Sequence, residues 1–98
     1  MPRRRIYQIR VKTRLKEYDI TAHATEEMAE DNLDILDVEH AILTGDVARI
    51  EKDDPRGTKY VVEGVAVDGQ TTVGVVGRFT SSGRYLIITI YEISGTGD

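Results

Sequence analysis

The residues of this chain best suited to chemistry lie in the segment ITAHATEEMAED, from Ile20 to Asp31. His23 is one of only two histidines, and an imidazole can accept or donate a proton near neutral pH. Glu27 follows four residues later, so on a helix its carboxylate could hold the imidazole or act as a base itself. A structural alternative stays open, in which His23 begins a helix and its ring bonds a backbone carbonyl or Glu27.

The same spacing would place two metal ligands on one turn of a helix. The other histidine, His40, belongs to a different helical segment and is expected to be exposed, and the chain has no cysteine. Since no further ligand accompanies His23 and Glu27, we predict no metal site and no cofactor.

Residues 1–17 are predicted to form a basic helix. Apolar residues recur along this segment at spacings of four, four and three, which is the period of one helix face. That spacing predicts a buried face made of Tyr7, Val11, Leu15 and Tyr18. The alternation Ile9-Arg10-Val11-Lys12 leaves a strand open as the alternative for part of this segment.

Residues 18–45 are predicted to be mainly helical, after a short stretch, YDIT, that could pair as a strand. Thr21 can cap a helix over residues 22–31, and Asp34 can cap a further helix. Gly45 is the expected left-handed residue after that last helix. The side chains predicted to face inward are Ala22, Ala24, Met28 and Ala29 in the earlier helix and Ile35, Val38, Ile42 and Leu43 in the later one.

After Gly45 the apolar positions alternate, which is typical of strands. Four β-rich runs between residues 46 and 93 are joined by the turns DPRG, DG and SSG, as in an antiparallel meander. Glycines inside these runs, at Gly64, Gly74 and Gly77, predict a curved sheet. We therefore predict an α+β domain spanning residues 1–98, with two or three helices on a curved antiparallel sheet of about four strands and a frayed tail at 94–98.

Composition narrows the class of protein. The 98 residues suffice for one domain with one core, and 40 % of them are hydrophobic and 31 % charged, as in folded globular proteins. No run approaches the roughly 20 apolar residues that cross a bilayer, so no membrane partner is expected. The basic N-terminus lacks the apolar run of a secretion signal, so a cytoplasmic location is expected.

The charges are segregated along the chain. Residues 1–16 carry seven basic side chains and no acid, whereas residues 17–54 carry thirteen acids against Arg49 and Lys52. A basic arm for an anionic partner is one interpretation. The other is that the basic helix lies on the acidic face of the same fold or of a second copy, which the net charge of −4 favours.

Four motifs in this order, HATEEM, DILDVEHAILTG, DDPRG and LIITIYE, resemble the family called domain of unknown function 4258, from about Tyr18 to Glu92. The resemblance implies a fold similar to the RelE-like and MqsR-like endoribonucleases of toxin–antitoxin systems. It thereby implies an RNA-cleaving toxin, with RNA as its substrate and an antitoxin protein as the partner that covers its sheet.

Metal-independent cleavage of RNA through its 2′-hydroxyl needs a proton acceptor, a cation for the phosphate and a proton donor for the leaving oxygen. Under this hypothesis His23 is the base or acid, Glu27 holds it, Arg78 is the cation and Tyr91 orients or donates a proton. The residues predicted to contact RNA are Arg10, Arg14 and Lys59.

The competing hypothesis is a non-catalytic protein-binding or regulatory module, in which a sheet edge or the acidic helices engage a protein and the basic helix completes a homodimer. Arg78 would then form a salt bridge with a strand neighbour, and Tyr91 would belong to the core or its rim, on one face with Thr89 and Ile93. The simplest interpretation of the acids is a solvated helix face made of Glu26, Glu27, Glu30 and Asp31.

Overall fold

The computed structural model describes the backbone of residues 2–93 and the side chains of residues 4–93. The elements along the chain are α1 (Pro2–Arg14), β1 (Tyr18–Ile20), α2 (Ala22–Glu30), α3 (Ile35–Thr44), β2 (Asp46–Glu51), β3 (Lys59–Val65), β4 (Thr72–Phe79) and β5 (Tyr85–Ile93). The predicted α+β class is confirmed. The tail at 94–98, predicted to fray, lies outside the described residues.

Within the described residues the sheet has five strands, in the order β1-β5-β4-β3-β2. Strands β2 to β5 form antiparallel neighbours, as predicted, but β1 pairs parallel with β5, with Tyr18 opposite Tyr85. The prediction of an all-antiparallel sheet of about four strands was therefore wrong. A strand of three residues is too short to show a period of its own, and its partner is the last strand of the chain.

The buried face of α1 is not the one that the spacing predicted. Ile6, Ile9 and Thr13 are buried, and Thr13 satisfies its hydroxyl by donating to the Ile9 carbonyl at 2.9 Å. Tyr7 and Leu15, predicted to be buried, are 63 % and 60 % exposed. The helix ends at Arg14, three residues earlier than predicted, so Tyr18 belongs to β1 instead.

All three helices pack on one face of the sheet and share one core. The strands contribute Tyr60, Val62, Val73, Val75, Tyr85, Ile87 and Ile90, the residue directly after β3 contributes Ala66, and the helices contribute Ile6, Ile9, Ala24, Val38, Ala41 and Ile42. The rings of Phe79 and Tyr85 meet edge to face with centroids 5.0 Å apart. The Arg5 guanidinium of α1 lies over this aromatic group, 5.8 Å from the Phe79 ring.

The predicted helix starts are confirmed. Thr21 accepts from the Ala24 amide at 3.1 Å, and Asp34 forms a reciprocal capping box with Asp37. On α2, however, Ala22 and Ala29 are exposed, so only Ala24 and Met28 of the four residues predicted to face inward do so.

The prediction for Gly45 was wrong. Its φ is −97°, which is extended rather than left-handed, and a Cβ there would lie 2.1 Å from the carbonyl oxygen of Glu63. Gly45 is therefore required by the close approach of β3. The left-handed positions after helices are Lys16, which follows α1, and Asn32, which follows α2, each with φ of 61°.

The glycines inside strands also have close neighbours. A Cβ on Gly64 would lie 1.9 Å from the carbonyl oxygen of Ala41, so α3 rests directly on the backbone of β3. Gly77 accommodates the Tyr85 ring on the helical side of the sheet. None of the helices described in residues 2–93 is long and apolar enough to cross a membrane.

Candidate functional site

His23 and Glu27 come together as predicted, one turn apart on α2. Nε2 of His23 lies 3.2 Å from Oε2 of Glu27, and Oε1 of Glu27 accepts a hydrogen bond from the Ile90 amide at 2.9 Å. The imidazole is 67 % exposed, whereas the carboxylate is only 22 % exposed. The main chain of β5 therefore fixes the carboxylate, and the carboxylate orients an exposed imidazole. Within residues 2–93, no group of three His, Cys, Asp or Glu side chains is placed to hold a metal ion.

The same helix continues along the edge of β5. β1 pairs with β5 only as far as Ile87, and beyond it Asp31 accepts from the Glu92 amide at 3.0 Å. The Thr21 hydroxyl donates to the Ile88 carbonyl at 3.2 Å. These bonds replace those of a neighbouring strand, so the interpretation of Glu27 and Asp31 as part of a solvated face was wrong.

The α3 helix protects the edge of β3 in a similar way, at the end of β3 that does not pair with β2. His40 Nδ1 lies 2.8 Å from the Val65 carbonyl, and Thr44 accepts from the Val65 amide at 3.3 Å. Because a carbonyl only accepts, Nδ1 of His40 carries the hydrogen. His40 was expected to be exposed but is partly buried. In the sequence, His40 lies four residues before Thr44, and this spacing places both side chains on one side of α3. That spacing was the available indication that His40 bonds the edge of β3.

Tyr91 lies on the open face, by which we mean the side of the sheet opposite the three helices. It shares that face with Thr89 and Ile93, as predicted, and its ring covers Gly74, where a Cβ would come within 2.3 Å of the ring. Arg49 of β2 reaches the same area. Its pKa is raised, mainly by a hydrogen bond with Glu51 and to a lesser extent by the Tyr91 hydroxyl.

Arg78 and Tyr91 are not brought together. In the β4–β5 register Tyr91 stands opposite Gly74, and Arg78 is four residues further along β4, which separates their positions by about 13 Å. Arg78 donates weakly to the Arg56 carbonyl at 3.5 Å. Within the described residues no carboxylate lies within 4 Å of it, so the expected salt bridge is absent there.

The three residues predicted to contact RNA have different surroundings. Arg10 donates to the Gly45 carbonyl at 2.6 Å and thereby ties α1 to the start of β2. The Lys59 ammonium lies between two carboxylates, 3.8 Å from Glu51 and 3.7 Å from Asp54. Arg14 is exposed at the end of α1. Two of the three positive charges are thus neutralised or engaged within the chain.

An open concavity of about 690 Å³ lies beside the turn between β2 and β3. Its lining carries two acids and two lysines, namely Glu51, Lys52, Asp53 and Lys59. Because these charges cancel, the concavity does not favour a polyanion.

A buried acid on α3 is a feature that the sequence interpretation missed. Glu39 accepts from the Lys16 ammonium at 2.6 Å and from the Tyr18 hydroxyl. Burial, followed by the bond to Glu39 and its charge, raises the pKa of Tyr18 far above its ordinary value. In the sequence, Glu39 lies between Val38 and Ala41, on the side of α3 that faces inward. Because a buried acid needs a partner, this position was the signal that Glu39 binds another side chain.

Comparison with known proteins gives one result. Neither the curated proteins nor the solved structures yielded a match. The family model described as domain of unknown function (DUF4258) matches residues 20–92, which include both helices that protect the sheet edges, all of β2 to β4, and all of β5 except its last residue. The chain therefore belongs to the DUF4258 family.

Proposed function

We propose that this chain is a non-catalytic protein-binding module whose docking surface is the open face of the sheet. The observation that carries the proposal is the chemistry of that face, which none of the three helices covers. Antiparallel sheets with one solvated face ordinarily carry polar residues there. This face instead carries partly buried apolar side chains on three strands, Val65, Val76, Leu86, Tyr91 and Ile93.

The packing of the open face supports the same proposal. Val61 points to this side and is fully buried, although it belongs to no part of the main core. Its cross-strand neighbours are Val76 and Arg49. A small apolar cluster therefore exists on the open face and could be extended by the side chains of a partner.

The charges of the open face favour protein over RNA. Binding RNA needs an excess of cations over acids. Here the Arg49 guanidinium lies 3.2 Å from Glu51, and Lys59 is shared between two acids. Mixed, largely paired charges around an apolar centre are typical of protein interfaces.

Photo-cross-linking in the source cells tests this proposal. A benzoylphenylalanine in place of Thr89, on the open face opposite Val76, should yield an adduct of defined mass with another protein. The same residue in place of Val67, which is 59 % exposed and lies beyond the end of β3, is the matched control and should not. Equal adducts at both positions, or none at Thr89, would contradict the proposal.

The His23–Glu27 pair favours a second candidate function, metal-independent cleavage of RNA on a RelE-like fold. The exposed imidazole could take the proton of a 2′-hydroxyl, and the Glu27 carboxylate would orient the ring and stabilise its protonated form. The pair supplies acid–base chemistry only. The dispersed positions of Arg78 and Tyr91 provide no common site for the phosphate, and for that reason we rank this function second.

RNA degradation by purified protein tests this candidate. Wild type, His23→Ala and the matched control His40→Ala should be compared at low and physiological salt. Cleavage by wild type and His40→Ala but not by His23→Ala is the expected result for a ribonuclease. Equal cleavage by all three proteins, or none by wild type, would reject His23 as its acid–base group.

A further inference from the structure

The exposed side of α1 carries an apolar strip that the fold of one chain does not use. Tyr7, Val11 and Leu15 recur every four residues. Tyr7 is 63 % exposed and Leu15, directly after the last residue of α1, is 60 % exposed, whereas Val11 between them is half-buried. We call these three residues the α1 strip. Since the opposite side of the helix already fills the core with Ile6 and Ile9, the strip is available for a second protein surface.

The charges around the α1 strip determine what can cover it. Arg4 and Arg14 are exposed and lie on the same side of the helix as the strip. Two copies of α1 packed strip to strip would bring these cations together, which is unfavourable. The complementary surface must therefore combine an apolar side chain with acids.

The chain has such a surface where α2 leads into α3. Leu36 is 59 % exposed in the first turn of α3, and Glu30 and Asp34 precede it. Glu30 is exposed and forms no ion pair with any other described residue. We call Glu30, Asp34 and Leu36 the acidic corner.

The Leu15 end of the α1 strip lies near the acidic corner in one molecule. Lys16, directly after Leu15, reaches Glu39 at 2.6 Å, and Glu39 lies one helical turn after Leu36. A two-fold axis passing between the two surfaces would place each strip on the corner of the other copy. Such a reciprocal contact closes as a dimer instead of continuing as a filament.

We infer that a second copy of this chain binds here, with its acidic corner on the α1 strip and the reverse contact made at the same time. The interface uses surfaces other than the open face of the sheet. Cross-linking from Thr89 therefore tests the proposed function separately from this dimer.

Sedimentation equilibrium over a range of protein concentrations tests the inference. A dimer is expected that weakens at high salt, because the contact is partly electrostatic. Leu15→Ser and Leu36→Ser should each raise the dimer Kd by about tenfold or more, which is the scale of losing one buried apolar side chain. Val67→Ser, a change at an equally exposed residue elsewhere, should leave the Kd unaltered. A monomer at all concentrations and salts would overturn the inference.

A charge exchange distinguishes this dimer from one formed strip to strip. Arg14→Glu and Glu30→Arg should each weaken the dimer, and the two changes together in one chain should restore it. If Arg14→Glu alone strengthened association, the strips would be facing each other and the inference would fail. Melting curves of every variant by circular dichroism show whether a weaker dimer reflects the interface or loss of folding.

Discussion

The Glu27 carboxylate lies 2.9 Å from the Ile90 amide, in the place where a neighbouring strand would present a carbonyl. Asp31, the C-cap residue of α2 and four residues after Glu27, accepts from the Glu92 amide, two residues after Ile90 on β5. The two spacings match because four residues of a helix advance about 6.0 Å, close to the roughly 6.6 Å that two residues of a strand advance. The α2 helix therefore protects a strand edge with carboxylates, and His23 owes its fixed position to that arrangement.

Replacing Glu27 tests this relationship. Glu27→Ala leaves the Ile90 amide without an acceptor and should lower the free energy of unfolding by about 1–2 kcal/mol, measured by urea denaturation. Glu27→Gln keeps an acceptor oxygen and should cost less. The Ile90 amide should exchange its hydrogen faster in the alanine variant, and unchanged exchange would refute the edge role. Glu26→Ala, at an exposed neighbour, is the control and should fall within about 0.5 kcal/mol of wild type.

Helix starts were predictable from the sequence because their interactions are local. Thr21 and Asp34 bond amides only two or three residues away, so residue type and spacing contain the whole interaction. The end of α3 was not predictable in this way. Gly45 has the residue type expected of a left-handed cap, but the constraint on it comes from the Glu63 carbonyl on β3.

The residues of the candidate site also divide into those whose contacts follow from local spacing and those whose contacts depend on the tertiary fold. The proximity of His23 and Glu27 follows from helical spacing alone. The bond between Glu27 and Ile90 joins positions 63 residues apart, and no local pattern distinguishes Glu27 from the solvated Glu26. On α1, two apolar stripes compete, and only the tertiary packing decides that Ile6 and Ile9 lie inward while the longer stripe stays outside.

The buried hydroxyl of Tyr85 predicts that the stability of the fold decreases at alkaline pH. This hydroxyl has no hydrogen-bond partner in the described part of the chain. Burial, with a smaller effect of Tyr60, raises its pKa far above the ordinary value of about 10. Above about pH 10 the unfolded chain loses this proton while the folded chain keeps it, so the free energy of unfolding falls as pH rises.

Tyr85→Phe should reduce this dependence of stability on pH. At neutral pH the variant should be as stable as wild type or more stable by up to about 1 kcal/mol, because no hydrogen bond is lost. Urea denaturation at about pH 8 and about pH 11 should show a smaller alkaline loss in the variant than in wild type. An equal loss in both proteins would mean that Tyr85 is not the group responsible.

The hydrogen bonds of Asp54 predict that the stability of the fold decreases at acid pH. Hydrogen bonds from the side chain and then the backbone of Arg56 lower its pKa to about 2, with a smaller contribution from the charge of Lys59. The stability it contributes is complete above about pH 4 and is lost as pH falls toward 2. In a carboxyl titration by NMR, Arg56→Ala should raise the Asp54 pKa more than Lys59→Ala does. The opposite ranking would contradict the assigned cause.

Alanine substitutions at Gly64 and Gly74 should differ in their cost to stability, because one glycine contacts backbone atoms and the other contacts a side chain. A Cβ on Gly64 would lie 1.9 Å from the Ala41 carbonyl, which belongs to the body of α3 and cannot move alone. A Cβ on Gly74 would meet the Tyr91 ring at 2.3 Å, and that ring can rotate away on the open face. Gly64→Ala should therefore cost at least the 1–3 kcal/mol typical of overpacking, and about twice as much as Gly74→Ala in urea denaturation.

The ring of Tyr91 provides an internal check on that ranking. Tyr91→Ala removes the obstacle above Gly74, so the cost of Gly74→Ala should largely disappear in the double variant, whereas the cost of Gly64→Ala should not change. The coupling energy between positions 74 and 91 is the quantity to measure. A coupling near zero would place the Tyr91 ring away from Gly74 in solution and would contradict the arrangement described for this part of the open face.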